Sequence, residues 1–130
     1  MNKILLVEPN KILSKTYGLA FEAAGFEVKI CQSAHSAIMA TDQQFPDIVI
    51  LELNMAGHNG VEFLYELRSY PEWQQIPVII NTMTSKEALN ISESVWEDLK
   101  IYDFHYKPQT TLSDLIKSAR LALAVHGTPT

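Results

Sequence analysis

The sequence predicts a doubly wound α/β domain, a five-stranded parallel sheet with helices on both faces. Three observations predict it. Short β-type runs alternate with longer helical patterns five times along the chain, the signature of successive β-α units. The first run, KILLV, is a continuous apolar run rather than an alternating one, as a strand buried on both faces should be. The chain has 130 residues, 47% hydrophobic and 19% charged, which suits one ordinary globular domain with a sizeable core.

Each element has its own sequence signals. Lys3 to Val7 is the first strand, bounded by Glu8-Pro9-Asn10. Asn10 is an N-cap, and Leu13, Tyr17, Ala20, Phe21 and Ala24 recur at helical spacing until Gly25, a residue suited to the left-handed C′ position. Phe26 to Cys31 is the second strand. Ser33 opens a helix to about Gln43, with Ala34, Ala37, Ile38 and Ala40 inward. After Pro46-Asp47 comes the strongest strand, Ile48 to Leu53, then a loop from Asn54 to His58. Asn59 and Glu62 have the spacing of a capping box for a helix through Arg68. A turn carries Pro71 and Trp73, and Pro77 to Asn81 is the fourth strand. Thr84 and Glu87 predict a capping box for one helix running toward Leu99. Tyr102 to Tyr106 is the fifth strand, and Thr111 and Asp114 cap a last helix with Leu112, Leu115, Ile116, Ala119 and Leu123 inward. The domain is expected over residues 1–126, with a frayed tail over 127–130 and no effector domain.

Charge and composition exclude several classes. A net charge of -5 is wrong for a general nucleic-acid binder, which needs a basic surface. No signal peptide and no run near the roughly 20 apolar residues of a membrane span is visible, so the expectation is no membrane and a cytoplasmic location. The one cysteine, Cys31, lies in an apolar run and reads as a small core residue.

In open α/β sheets function collects outside the carboxyl ends of the strands. The residues there are Glu8-Pro9, Glu52-Leu53-Asn54, Thr82 and Lys107-Pro108. With these in place, KILLVEPN, PDIVILELNMAGHNG, IPVIINT and HYKP resemble, in order and over about Lys3 to Val125, the four motifs of the receiver domains of two-component signalling. The resemblance implies the flavodoxin-like strand order 2-1-3-4-5. It also implies a chemistry in which an aspartate ending the third strand takes up a phosphoryl group. A divalent metal is held by that aspartate, by acids ending the first strand and by a backbone carbonyl two residues past the phosphorylation site. A hydroxyl and a lysine bind the phosphoryl oxygens, which is electrostatic positioning at a phosphoryl centre. By position, Glu52 stands at the phosphoacceptor, Glu8 and Pro9 at the acidic pair, Asn54 at the carbonyl, Thr82 at the switch hydroxyl, Phe104 at the switch aromatic and Lys107 at the lysine.

Two departures fall on that chemistry. Glu52 is one methylene longer than aspartate, and an in-line transfer displaced by about 1 Å loses on the order of a hundredfold. Pro9 offers neither a side-chain oxygen nor an N–H where the family usually has its direct metal ligand. No cofactor is therefore expected. Magnesium, if it binds at all, would be weakly held by Glu8, Glu52 and the Asn54 backbone. Ala56 replaces a proline common in the phosphorylation loop, and Leu99-Lys100-Ile101 replaces a usual glycine before the fifth strand. Glu52 is expected to extend toward Lys107 and pair with it.

The expected function is a stand-alone atypical receiver, acting in signal transduction through phosphorylation-independent protein–protein contact and not as an enzyme. Its partners would be signalling proteins, or a second copy in a homodimer, on the face made by the fourth helix, fifth strand and last helix. One alternative is a phosphoaccepting receiver that uses Glu52 with weak Mg2+ binding; another is a small-ligand sensor using the acidic pocket. Glu52 reads either as a mimic of the activated state or as a relic. Thr82 reads as a switch or as a strand-end hydroxyl bonded to backbone, and Phe104 as a switch or plain core. His58 and His105 read as solvated side chains before ligands, and Trp73 and Trp96 as helix packing before partner anchors.

Overall fold

The computed structural model describes residues 1–55 and 58–126, apart from the side chains of His58, Asn59 and His126. Five strands form one parallel sheet: β1 (Lys3–Val7), β2 (Glu27–Cys31), β3 (Ile48–Leu51), β4 (Val78–Thr82) and β5 (Ile101–Tyr106). Their order is β2-β1-β3-β4-β5, so the chain reverses its direction of build between β1 and β3. Helices α1 (Lys11–Ala23), α2 (Ala34–Gln43), α3 (Gly60–Ser69), α4 (Lys86–Leu89), α5 (Glu93–Asp98) and α6 (Leu112–His126) connect and cover the sheet. Between β3 and α3, Asn54–Met55 and His58–Asn59 pair as a small antiparallel ribbon.

Strand side chains alternate between the two faces, which splits the core in two. Leu5, Val7, Val49, Leu51, Val78 and Ile80 pack with α2, α3 and α5, including Phe63, Leu67 and Trp96. Ile4, Leu6, Ile48, Ile50 and Ile79 pack with Phe21 of α1 and Leu115, Ala119 and Ala122 of α6. Trp73 and Trp96 are both buried in the first cluster, so each serves packing. Cys31 is also buried; burial pushes its thiol pKa up, and its Sγ donates to Ser36 O at 3.6 Å.

The helix starts follow side-chain caps. Asn10 Oδ1 accepts from Leu13 N–H, and Ser33 Oγ from Ser36 N–H. Thr111 and Asp114 form a reciprocal capping box: each side chain accepts from the other's backbone N–H, at 3.0 and 2.9 Å. Those hydrogen bonds hold the Asp114 carboxyl below its ordinary range. Gly25 takes φ +97° after α1. The expected capping box at Asn59 and Glu62 rests on the Asn59 side chain, which lies outside the described residues, as do Ala56, the His58 side chain and the tail over 127–130.

One expectation about the helices is corrected. The single helix toward Leu99 is instead two. Ser85, one residue after Thr84, caps α4 by accepting from Ala88 N–H. Asn90 then turns left-handed at φ 52°, a conformation asparagine tolerates, and Ser92 caps α5. Before β5 the chain turns without the usual glycine. Lys100 takes φ 55° in its place, and Arg68 of α3 anchors the turn by donating to Leu99 O, Lys100 O, Trp73 O and Gln74 O. Burial lowers the Arg68 pKa to about 10, which leaves it charged at neutral pH.

Candidate functional site

Glu8 and Glu52 lie one residue past the ends of adjacent strands. The ladder extends to both, since Glu8 N–H donates to Cys31 O and Glu52 N–H donates to Val7 O, each at 2.9 Å. Val7 and Leu51 face the α2–α3 side, so alternation turns the two acids to the other face. Gly60 fixes the height of this strand end. A Cβ there would lie 2.8 Å from Leu53 Cα and 3.1 Å from Glu52 O, so only glycine lets α3 start this close.

Lys107 follows β5 in a 3-10 turn over Lys107–Gln109 and reaches back across the strand ends. Its Nζ donates to Glu8 Oε1 and to Glu52 Oε1, the latter at 2.7 Å. The three side chains are buried: Lys107 is 6% exposed, Glu8 3% and Glu52 4%. Burial by itself would lower the Lys107 pKa. The hydrogen bonds and negative charges of Glu52 and Glu8 outweigh it and hold the ammonium above its ordinary value.

Backbone donors complete the carboxylates. Glu52 Oε1 also accepts from Met83 N–H at 3.2 Å, and Oε2 from Asn54 N–H at 3.0 Å. Glu8 Oε2 accepts from Asn10 N–H at 3.1 Å. Asn54 Nδ2 donates to Thr84 Oγ1 at 2.6 Å and so ties the loop after β3 to the loop after β4. Every carboxylate oxygen of the pair thus has an N–H donor. Two acids and one ammonium leave the site with one net negative charge.

This donor set does not fit magnesium, which asks for an octahedron of oxygens. An ammonium occupies the space between the acids, and Pro9 contributes no donor. No group of three or more His, Cys, Asp or Glu suited to a metal occurs among the described residues.

The remaining expected site residues sit close by in different settings. Thr82 is fully buried at the end of β4, and its Oγ1 accepts from Thr84 N–H at 3.4 Å, a backbone bond. Phe104 of β5 is half-buried and packs edge-on against Trp96, with ring centroids 5.8 Å apart. His105 Nε2 lies 3.1 Å from Asp103 Oδ2. The structure brings Glu8, Glu52, Asn54 and Lys107 into one network, reaches Thr82 only through Thr84, and leaves Phe104 outside it. The sequence reading missed the Met83 N–H as a partner of Glu52. A main-chain donor has no residue signature; only its place after the fourth strand hints at it.

Comparisons with known proteins agree with this architecture. Residues 4–120 match the model of the response regulator receiver domain. The chain is similar to the phosphate regulon transcriptional regulatory protein PhoB of Rhizobium meliloti, 33% identical over 66% of this chain and 38% of that protein. It is also similar to the KDP operon transcriptional regulatory protein KdpE of Escherichia coli, 27% identical over 100% of this chain and 55% of that protein. The chain therefore spans about half or less of these two relatives' lengths. In fold it is similar to the chemotaxis protein CheY4 of Vibrio cholerae, with TM-score 0.83 at 22% identity, covering 95% of this chain and 99% of the other. A sensor protein from Polaromonas sp. JS666 superposes with TM-score 0.88 at 20% identity, over 97% and 98% of the two chains. No helix among the described residues is long and apolar enough to cross a membrane. With the family model matched over most of its length, the chain belongs to the response regulator receiver domain family.

Proposed function

We propose that this receiver domain signals through protein–protein contact without phosphorylation, with Glu52 as a permanent charge in place of a phosphorylated aspartate. One observation carries the reading: Glu52 Oε1 accepts from both Lys107 Nζ and Met83 N–H. In the family the lysine binds phosphoryl oxygens, so the longer side chain of Glu52 delivers its own oxygen to a phosphoryl partner. A carboxylate held by three donors across its two oxygens is also poorly placed for in-line attack.

The partner in this reading is another signalling protein, or a second copy, bound on the face of α4, α5, β5 and α6. Support comes from the surface there. Met83 is 55% exposed and Leu112 37%, and a groove is lined by Lys86, Glu93, Trp96 and Phe104. The test is incubation with magnesium and a small phosphodonor, followed by intact mass. An unchanged mass is expected. A stable added phosphoryl group that disappears in Glu52→Gln overturns the proposal in favour of a glutamyl phosphate.

A further inference from the structure

β2 is an edge strand, paired in the sheet with β1 alone. Glu27 N–H donates to Asn2 O, and Cys31 O accepts from Glu8 N–H, so residues 27, 29 and 31 turn their backbone groups toward β1. By alternation the N–H and C=O of Val28 and Ile30 point away from the sheet. Such a row of outward donors and acceptors is a template for another strand.

The side chains say which strand fits. Glu27 and Lys29 are exposed on one face of this edge, and neither has an ion-pair partner among the described residues. A second β2, laid antiparallel about a two-fold axis normal to the sheet at Val28, gives each a partner. Val28 then exchanges two N–H···O bonds with Val28 of the second copy. Glu27 stands opposite the second copy's Lys29, and Lys29 opposite its Glu27, in the closer, non-hydrogen-bonded pairs where side chains meet. Moving the axis by one residue sets Glu27 against Glu27 or Lys29 against Lys29. The charges therefore select one register.

Exposed apolar side chains flank the edge on both faces. On one, α1 lies close over β2: a Cβ at Gly18 would sit 3.0 Å from Ile30 Cδ1. Leu19 beside it, and Ile12 two turns earlier on the same helix face, are exposed. On the other face, Gln43, Gln44 and Pro46 line a groove along Glu27 and Lys29. Met39, one turn before Gln43, and Phe45 are exposed there. The axis sets each group against its own counterpart, which adds apolar burial to the strand pairing.

We infer that the β2 edge is an interface between two copies of this chain, joined antiparallel at Val28 and held by two Glu27–Lys29 ion pairs. It lies at the opposite edge of the sheet from β5, and it stands whether or not Glu52 accepts phosphate.

The test is sedimentation velocity on the full chain over about 10–500 µM, the range an interface of modest size demands. A rise toward twice the chain mass is expected. Glu27→Lys and Lys29→Glu each create two like-charge pairs across the axis, so each should weaken self-association at least about tenfold. A mixture of the two variants should regain it, because each supplies the charges the other lacks. A chain that stays monomeric across the range overturns the inference. So does a dimer that both single variants keep, or a mixture that fails to associate. Both side chains are exposed, so the variants should keep the fold, which far-UV circular dichroism checks. Should one misfold, Val28→Pro decides: it removes the outward N–H on the axis, and a Val28→Pro dimer overturns the inference.

Discussion

Replacing Lys107 with methionine keeps most of the length and apolar stem of the side chain and removes only the ammonium. Two carboxylates, each under 5% exposed, would then face each other with no counter-charge. Breaking a buried ion pair from one side costs about 3–5 kcal/mol, because the abandoned charge stays buried. Here two charges are abandoned, so the upper part of that range is expected. For a domain of this size each kcal/mol moves Tm by roughly 3–5 °C, so a fall of about 12–25 °C follows. Glu52→Gln is a milder change. Its amide oxygen can still accept from Met83 N–H, and Lys107 keeps Glu8, so about 1–2 kcal/mol is expected. Urea denaturation followed by far-UV circular dichroism measures both. A Lys107→Met cost below about 1 kcal/mol, or below that of Glu52→Gln, would refute the shared-ammonium account. The pH profile gives a second check. Lys107 has a higher pKa folded than unfolded, so its stabilisation is complete below the ordinary lysine value of 10.5 and is lost as pH rises through the higher folded value. Lys107→Met should lack that alkaline decline.

Other outcomes follow from the same structure. Glu52→Asp alone should not take up a phosphoryl group from a small phosphodonor, because Pro9 still withholds a metal ligand. Pro9→Asp with Glu52→Asp should take it up in a magnesium-dependent manner, read by intact mass. Lys100→Gly should raise stability by about 0.5–1 kcal/mol in thermal melts, since Lys100 holds a left-handed φ of 55° that costs a side chain roughly 1–2 kcal/mol, less glycine's extra unfolded entropy. Arg68→Ala should cost about 2–4 kcal/mol by urea titration, because four backbone carbonyls lose a charged donor. Gly60→Ala should cost at least about 1–3 kcal/mol, since its methyl meets backbone at Leu53 and Glu52 that cannot swing aside.

The fold was legible wherever one residue's chemistry decides its own local structure. Asn10, Ser33 and the Thr111–Asp114 pair mark helix starts because a short side chain must meet a free N–H a few residues on. The buried strands declared themselves as apolar runs. The break at Asn90 was hidden because the apolar positions on either side, Leu89, Ile91 and Val95, fit an unbroken helix well enough. Only the left-handed turn separates them. In the site, Glu52 and Lys107 stood out by their places after strands three and five. The sharing of Lys107 with Glu8 depends on how far a lysine reaches across three strand ends, which no local pattern encodes.

The ammonium of Lys107 joins residues 99 and 55 positions away in sequence. Such contacts close long loops and can form only when β1, β3 and β5 are already in place in the sheet. The network is thus absent from the early folding nucleus and belongs to the late stage of assembly. Its loss should leave the folding rate nearly unchanged and appear as faster unfolding. In such a domain the buried charges act as a clasp that sets how long the assembled state lasts, separately from how quickly it is reached.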